Sequence, residues 1–173
     1  LNLNFPTKDC QAIHQSFASA LSSEQLFSKV HKRELYNDQV SVAAVRTEVA
    51  AIRNQIQSPQ DRVVVMFSGH GTRVVEKGEN RFYFLRTSIE GIDHNAVVGE
   101  GKSSEPDKAV IANSIAWNDI TREISDLPCH VVWFVDACHS GAGAEEMKSL
   151  VRQVNHPTQR FVLVSCQANE SSF

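Results

Sequence analysis

Three short, unbroken apolar runs constrain the fold of this chain most strongly. They are Val63–Phe67, Val131–Val135 and Phe161–Val164. Each run is short for a helix and apolar on both faces, which is typical of a buried parallel strand. Helical patterns lie before and between the runs, so the sequence predicts an α/β fold in which helices join the strands of a mostly parallel sheet.

Four helices are predicted around these strands. Apolar residues recur at helical spacing in three segments, and a fourth helix is expected after the second apolar run. The predicted helices are Cys10–Leu21 with Thr7 as its N-cap, Val45–Ile56 followed by Pro59, Trp117–Leu127 followed by Pro128, and Ala144–Val154. Two further strands are predicted at Val30–Leu35 and Phe82–Leu85, and residues 87–112 are predicted to be a loop.

Length and charge exclude several classes of protein. The chain has 173 residues, which fits one domain. Its 17 basic and 20 acidic residues give a formal charge of −3, so no basic excess points to nucleic acid or an anionic membrane. The apolar runs are far shorter than the roughly 20 residues of a membrane-spanning helix. Residues 1–6 do not resemble a signal peptide, and the four cysteines form no CxxC pair, so we expect a soluble protein of the reducing cytoplasm.

Each apolar run ends abruptly in a cluster of small and polar residues. These clusters are Ser68–Thr72, Asp136–Gly141 and Ser165–Ser172. Because the carboxyl ends of parallel strands meet at one edge of a sheet, and ligands bind there, the three clusters should converge. The expected edge holds a histidine between two glycines and a cysteine beside small residues, His70 and Cys138. This combination favours nucleophilic catalysis.

The chemistry of a cysteine nucleophile explains why these residue types would be needed together. A thiol with a pKa near 8.5 needs a base or an electropositive setting to become a thiolate, and His70 can supply the base. The tetrahedral intermediate of acyl transfer needs hydrogen-bond donors directed at its oxyanion. The backbone N–H groups of Gly71 and Cys138 can supply them, since a glycine allows the substrate carbonyl to approach closely.

These two motifs resemble those of a known family. Ser68-Gly69-His70-Gly71 and the segment Asp136–Gly141 are similar to the histidine and cysteine motifs of caspase-like cysteine peptidases. Caspases proper carry a QACxG signature around the cysteine. Here Asp136 stands in place of the glutamine and His139-Ser140-Gly141 follows the cysteine. Both departures match metacaspases and bacterial caspase homologues.

The resemblance implies a fold, an activity and a set of site residues. The fold would be a caspase-like, three-layer αβα sandwich, and the activity would be a cysteine endopeptidase with Cys138 as nucleophile and His70 as its proton-transfer partner. Gly71 and Cys138 would form the oxyanion hole. The S1 pocket would be lined by Asp9, Ser68 and Asp136 and would accept Arg or Lys at P1. A carboxylate pair in a partly desolvated pocket attracts a cation and repels an acidic side chain.

The same resemblance implies a setting and a set of partners. Such an enzyme would be a regulated effector protease in cell death, stress response or defence, acting on protein or peptide substrates. Calcium-dependent metacaspases carry an acidic cluster after the strand that corresponds to Phe82–Leu85, whereas this chain has Arg86-Thr87-Ser88-Ile89-Glu90 there. Since hard cations need several oxygen ligands, no calcium activation, metal or other cofactor is expected.

Residues 1–173 are expected to be an incomplete caspase-like domain. Members of the family begin with a central apolar strand before the first helix and continue with more helix and strand after the position of Val164. We therefore expect an additional domain or partner chain that completes or regulates the fold.

Simpler interpretations remain open for every candidate residue. Cys138 could be a buried structural cysteine and His70 a turn histidine that bonds to the backbone. Asp136 could cap a helix, and Asp9 is favourable in the first turn of a helix for electrostatic reasons alone. For Ser68 the pocket role and a role without function are about equally open. The competing functions are a non-catalytic caspase-like scaffold and a phosphate- or nucleotide-binding domain that uses the glycines around His70.

Overall fold

The structure is a computed structural model that describes residues 6–23, 27, 29–76, 79–85, 111–112, 114–137, 143–144 and 158–165. Its elements are three helices, a 3₁₀ turn at Asn37–Gln39 and six strands within that part of the chain. The helices are α1 (Pro6–Ser23), α2 (Val42–Arg53) and α3 (Trp117–Ser125), and the strands are β1 (Arg62–Ser68), β2 (Gly71–Glu76), β3 (Glu79–Leu85), β4 (Ser114–Ala116), β5 (His130–Asp136) and β6 (Arg160–Val164).

The three apolar runs form one parallel sheet, as the sequence predicts. The strand order is β1-β5-β6, with β5 in the centre. Val65 lies opposite Trp133, which in turn lies opposite Val162. The register continues to the end of β1, where Ser68 lies opposite Asp136. The carboxyl ends of the strands therefore lie at one edge of the sheet.

Helices cover both faces of this sheet. On one face, Val131, Trp133 and Val135 of β5 are buried in a core cluster whose other buried members include residues of α2 and α3, namely Val45, Val49, Ile120 and Ile124. On the other face, Phe134 of β5 contacts Phe17 of α1, with the ring centroids 6.0 Å apart. Since neighbouring strand residues point to opposite faces, these contacts establish the α/β sandwich.

The face of the sheet on which α1 packs is only partly covered. Val64 of β1 is 43% exposed, and Phe161 and Leu163 of β6 are 51% and 49% exposed. The expectation that β1 and β6 are buried on both faces is therefore wrong. An apolar run identifies a strand of a parallel sheet, but it does not show how far the helices of the neighbouring layer extend across that strand.

A second, smaller sheet lies beyond the end of β1. Strands β2, β3 and β4 form an antiparallel sheet in that order. The strand predicted at Phe82–Leu85 is confirmed as part of β3. Aromatic residues from both sheets and from α3 pack together with ring centroids 5.2 to 5.9 Å apart, and we call them the aromatic cluster: Phe67, Phe82, Phe84, Trp117 and Trp133.

The local predictions are mostly confirmed. The first three predicted helices are present, and the Ser41 side chain caps α2 by accepting a hydrogen bond from the Ala44 N–H at 3.1 Å. Thr7 lies inside α1 rather than at its N-cap, because the helix already includes Pro6, a residue suited to a first helical position. The predicted strand at Val30–Leu35 is irregular backbone. Most of the predicted fourth helix and of the predicted loop over 87–112 lies outside the described residues.

Arg160 fixes the opposite end of the sheet, where β6 begins. Its guanidinium donates hydrogen bonds to the carbonyl oxygens of Ser125 at 2.9 Å, Leu127 at 2.7 Å and Cys129 at 2.6 Å. These carbonyls belong to the end of α3 and to the link that leads into β5. One side chain thus satisfies carbonyls that the end of a helix leaves without intrahelical partners. Among the described helices, none is long and apolar enough to cross a membrane.

Candidate active site

The ends of the three parallel strands meet as the sequence predicts. The Gly69 N–H donates a hydrogen bond to the Asp136 carbonyl at 3.1 Å, which continues the pairing of β1 with β5 past Ser68. On the other side of β5, the Ser165 N–H donates to the Val135 carbonyl at 3.0 Å. The starts of all three polar clusters therefore lie side by side at the carboxyl edge.

His70 is held between the two sheets. Its carbonyl accepts a hydrogen bond from the Leu85 N–H at 2.9 Å, and its Nε2 atom is withdrawn from solvent. The next residue, Gly71, is buried and starts β2 opposite Phe84. A Cβ atom built at Gly69 would meet no atom within 4 Å, so there is open space beside the backbone that leads to His70.

The chain approaches Cys138 from the same edge. Asp136 ends β5 and Ala137 is buried with 1% exposure, while Cys138 lies outside the described residues. Ser68 and Asp136 lie opposite each other at the ends of β1 and β5. His70 comes two residues after Ser68, and Cys138 comes two residues after Asp136. The structure thus brings together the backbone segments that lead to the two predicted catalytic residues.

The predicted S1 residues lie at this edge on the side of α1. Ser68 and Asp136 are opposite each other in a parallel ladder, so their side chains share one face. Burial of the Cys10 side chain first, and then the negative charges of Asp9, Asp136 and Glu34, together raise the pKa of its thiol to about 11. Asp9 itself is exposed in the first turn of α1. Asp136 therefore lies within electrostatic range of Cys10, in the first half of α1.

Glu34 is an acidic residue of this region that the sequence did not indicate. Its carboxylate accepts hydrogen bonds from the Tyr36 hydroxyl at 2.5 Å and pairs with the Lys32 ammonium at 2.6 Å. The hydrogen bond from Lys32 first, and then that from Tyr36, lower the pKa of Glu34. Its effect on Cys10 depends on the path of the irregular segment that includes the strand predicted at Val30–Leu35, so no local pattern could have revealed it.

The groove along α1 lies apart from the predicted site, and the described residues do not support a metal site or a phosphate site. An open groove of about 510 Å³ runs along α1 and is lined by Gln11, His14, Gln15, Ala18, Ser19 and Lys32, none of which is a predicted site residue. Among the described residues, no group of three His, Cys, Asp or Glu side chains is placed to hold a metal ion. The glycines around His70 lead into β2 and not into a helix, so the helix N-terminus of a typical phosphate-binding loop is missing there.

The comparison with known families agrees with the two motifs. A family model described as the caspase domain, peptidase family C14, matches residues 1–173. Neither a curated protein nor a solved structure gives a significant match to the chain.

Proposed function

The chain belongs to the caspase-domain family of cysteine peptidases, and we propose that it is an endopeptidase that cleaves after Arg or Lys through Cys138 and His70. One observation supports the dyad most directly. The hydrogen bond from Gly69 to Asp136 holds the segment that leads to His70 against the segment that leads to Cys138. A base within reach of the thiol is the first requirement of a cysteine nucleophile.

In the first half of the proposed reaction, the Cys138 sulfur attacks the carbonyl carbon of the scissile peptide bond. The thiol proton passes to His70, and the electron pair of the carbonyl bond moves onto oxygen. The N–H groups of Gly71 and Cys138 stabilise this oxyanion. Such donors typically contribute about 3 to 4 kcal/mol to lowering the barrier. The C–N bond then breaks, the leaving amine takes the proton from His70, and a thioester remains on Cys138.

In the second half, water hydrolyses the thioester. His70 accepts a proton from the attacking water, a second oxyanion forms at the same donors, and the C–S bond breaks. The Cys138 sulfur takes the proton back and the new carboxyl terminus leaves. His70 thus acts as a base towards the thiol and as an acid towards the amine in the first half. In the second half it is a base towards water and returns the proton to sulfur, so one histidine suffices.

The preference for a basic P1 residue rests on the acidic groups at the carboxyl edge of the sheet. Asp136 precedes Cys138 by two residues, and Asp9 and Glu34 act together with it on Cys10. Lys32 is paired with Glu34, so the negative potential at the carboxyl edge comes mainly from Asp9 and Asp136. Arg or Lys would be attracted to this edge, whereas an aspartate at P1 would be repelled.

Covalent labelling tests the proposed dyad. The protein is incubated with a peptidyl chloromethyl ketone that carries Arg at P1, and the adduct is located by mass spectrometry. We expect alkylation of Cys138 in the wild type and its loss in a His70→Ala variant. The absence of an adduct on Cys138, also in the presence of candidate partner proteins, would refute the peptidase and favour the scaffold function.

A series of fluorogenic peptides tests the pocket separately. Peptides that differ only at P1 (Arg, Lys or Asp) are compared on the wild type and on Asp136→Asn. We expect cleavage after Arg and Lys only, and a loss of about 10- to 100-fold in kcat/KM for Arg in the variant, since a charge-assisted pair is lost. Asn is the matched change because it keeps the size of the side chain and removes its charge. Preference for Asp at P1 would contradict the role of Asp136.

A further inference from the structure

Trp117 makes a buried contact with the chain just beyond the proposed nucleophile. It is the first residue of α3 and is fully buried. Its indole Nε1–H donates a hydrogen bond to the Gly143 carbonyl at 2.9 Å. Gly143 is the first described residue after the stretch 138–142, which includes Cys138. The contact therefore fixes the downstream end of that stretch, while the end of β5 fixes its upstream end.

The fit around Gly143 leaves no room for a side chain. A Cβ atom at this position would lie 2.9 Å from the Phe82 Cδ1 atom and 3.2 Å from the Trp117 Nε1 atom. The first distance is well below ordinary van der Waals contact, so one of the two rings would have to move. Gly143 is thus the residue that allows the backbone to approach close enough for its carbonyl to accept from Trp117.

Trp117 also contacts residues that lead to His70. Its ring lies 5.2 Å from that of Phe67, which precedes Ser68 in β1, and 5.4 Å from that of Phe84, the register partner of Gly71. The same side chain therefore packs against both strands that hold the His70 segment and bonds to the chain that follows Cys138.

We propose that Trp117 is a positioning residue for the proposed dyad: through its bond to Gly143 it sets the place of the Cys138 stretch relative to His70. This inference rests on the proposed peptidase function. Nucleophilic attack requires the reacting atoms in a narrow range of geometry, and a displacement of about 1 Å can reduce the rate about 100-fold. A single hydrogen bond to one end of a five-residue stretch can control a displacement of that size.

The chain offers a matched control for this contact. Trp133 belongs to the same aromatic cluster and is equally buried, yet its Nε1–H finds no acceptor in the described part of the chain. Trp117→Phe and Trp133→Phe therefore remove the same group from the same environment. Only the first substitution removes a described hydrogen bond, and each keeps an aromatic ring in place.

The test compares both variants with the wild type by three measurements: kcat and KM on a P1-Arg peptide, the pH profile of Cys138 alkylation by iodoacetamide, and the midpoint of thermal unfolding. For Trp117→Phe we expect kcat to fall about 10- to 100-fold with KM changed less than about threefold, together with an altered alkylation profile. Trp133→Phe should keep kcat and the profile within about twofold of the wild type.

Three outcomes would overturn the positioning role of Trp117. Equal kcat values and equal alkylation profiles in the two variants would overturn the positioning role, even if both unfold at lower temperature. If the wild-type Cys138 does not react with the P1-Arg chloromethyl ketone, the proposed function fails first and the positioning role falls with it. Should Trp117→Phe fail to fold, Gly143→Ala probes the same contact from the other side. The Gly143→Ala variant keeps the indole of Trp117 and should lower kcat as Trp117→Phe does. An unchanged kcat would refute the proposal.

Discussion

The two ends of the parallel sheet differ in how their polar groups are matched. At the amino end, two charged side chains bond to the backbone: Arg160 donates to three carbonyls, and the Asp61 carboxylate accepts from the N–H groups of Gln57 at 2.8 Å and Ser58 at 3.1 Å. At the carboxyl end, acidic groups gather, and of these Glu34 is paired with Lys32. Asp9, Asp136 and Glu34 all raise the pKa of Cys10, so each of them acts on that thiol.

This difference indicates what each end contributes. Matched hydrogen bonds to a charged side chain stabilise the folded state, each by about 1.5 to 3 kcal/mol. Like charges at one edge destabilise it, and such arrangements persist at sites where a ligand of opposite charge binds. We therefore expect substitutions at the amino end to change stability and substitutions at the carboxyl end to change activity.

The largest effect is expected for His70→Ala. Removal of the proposed base should lower kcat by about a thousandfold, as is typical of acid–base catalysis. The substitution keeps the backbone hydrogen bond between Leu85 and His70, so we expect the loss in unfolding free energy to be smaller than the loss at the amino end. Peptide hydrolysis and chemical denaturation of the same preparation measure both quantities. A stability loss as large as that at the amino end would contradict the comparison.

The next effect is expected at the amino end, for Arg160→Met. The methionine keeps much of the apolar stem but leaves the carbonyls of Ser125, Leu127 and Cys129 without their donor. We expect a loss of about 2 to 4 kcal/mol in unfolding free energy, with kcat per folded molecule unchanged.

The control for Arg160→Met is Arg62→Met. Arg62 is the first residue of β1, at the same end of the sheet, and its side chain is exposed. Its replacement should cost less than about 0.5 kcal/mol. Equal losses from the two variants in urea denaturation would show that the three carbonyl bonds do not stabilise this end.

A third prediction concerns the reactivity of Cys10 at the carboxyl end. Burial first, and then the neighbouring carboxylates, raise the pKa of Cys10 from 9.0 to about 11. Only the thiolate reacts, so at pH 8 Cys10 should be alkylated about 100-fold more slowly than an unperturbed thiol. The rate should rise about tenfold for each pH unit up to about pH 11. Mass spectrometry of iodoacetamide adducts over time measures it.

Asp136→Asn sharpens this third prediction. Removing one of the neighbouring charges should lower the pKa of Cys10 and speed its alkylation, whereas Asp38→Asn, in the 3₁₀ turn, serves as the charge-matched control. An identical rate in the two variants would show that Asp136 does not act on Cys10, and the clustering of acidic groups at this end would be wrong.

The sequence predicted the strands that form the carboxyl edge but not the tertiary contacts that hold them in place. The strands β1, β5 and β6 and the meeting of their ends follow from apolar runs that end in polar residues, a local pattern. The contacts that hold this edge join distant residues, such as Trp117 with Gly143. A tryptophan within an apolar helical pattern indicates only a core residue, so its hydrogen bond could not be foreseen.

The amino end of the sheet was less predictable, because its hydrogen bonds also join residues that are distant in the sequence. Arg160 directly precedes an apolar run, where an arginine normally marks an exposed strand start. Its bonds to carbonyls of Ser125 and Leu127 depend on how α3 ends relative to β6, which is a property of the tertiary packing. The partial exposure of Phe161 likewise depends on the extent of the covering layer.

The smallest effect is expected for a charge pair that lies at neither end. Arg46 of α2 and Glu123 of α3 form an ion pair at 3.0 Å, with side chains 57% and 38% exposed. Exposed pairs contribute about 0.2 to 1 kcal/mol, because water screens the charges and two flexible side chains must be ordered. A double-mutant cycle with Arg46→Ala and Glu123→Ala, measured in urea at low and high salt, should give a coupling energy in this range that decreases with salt. A coupling energy well above 1 kcal/mol, or one that salt leaves unchanged, would show that water does not screen this pair and that its contribution is not the smallest.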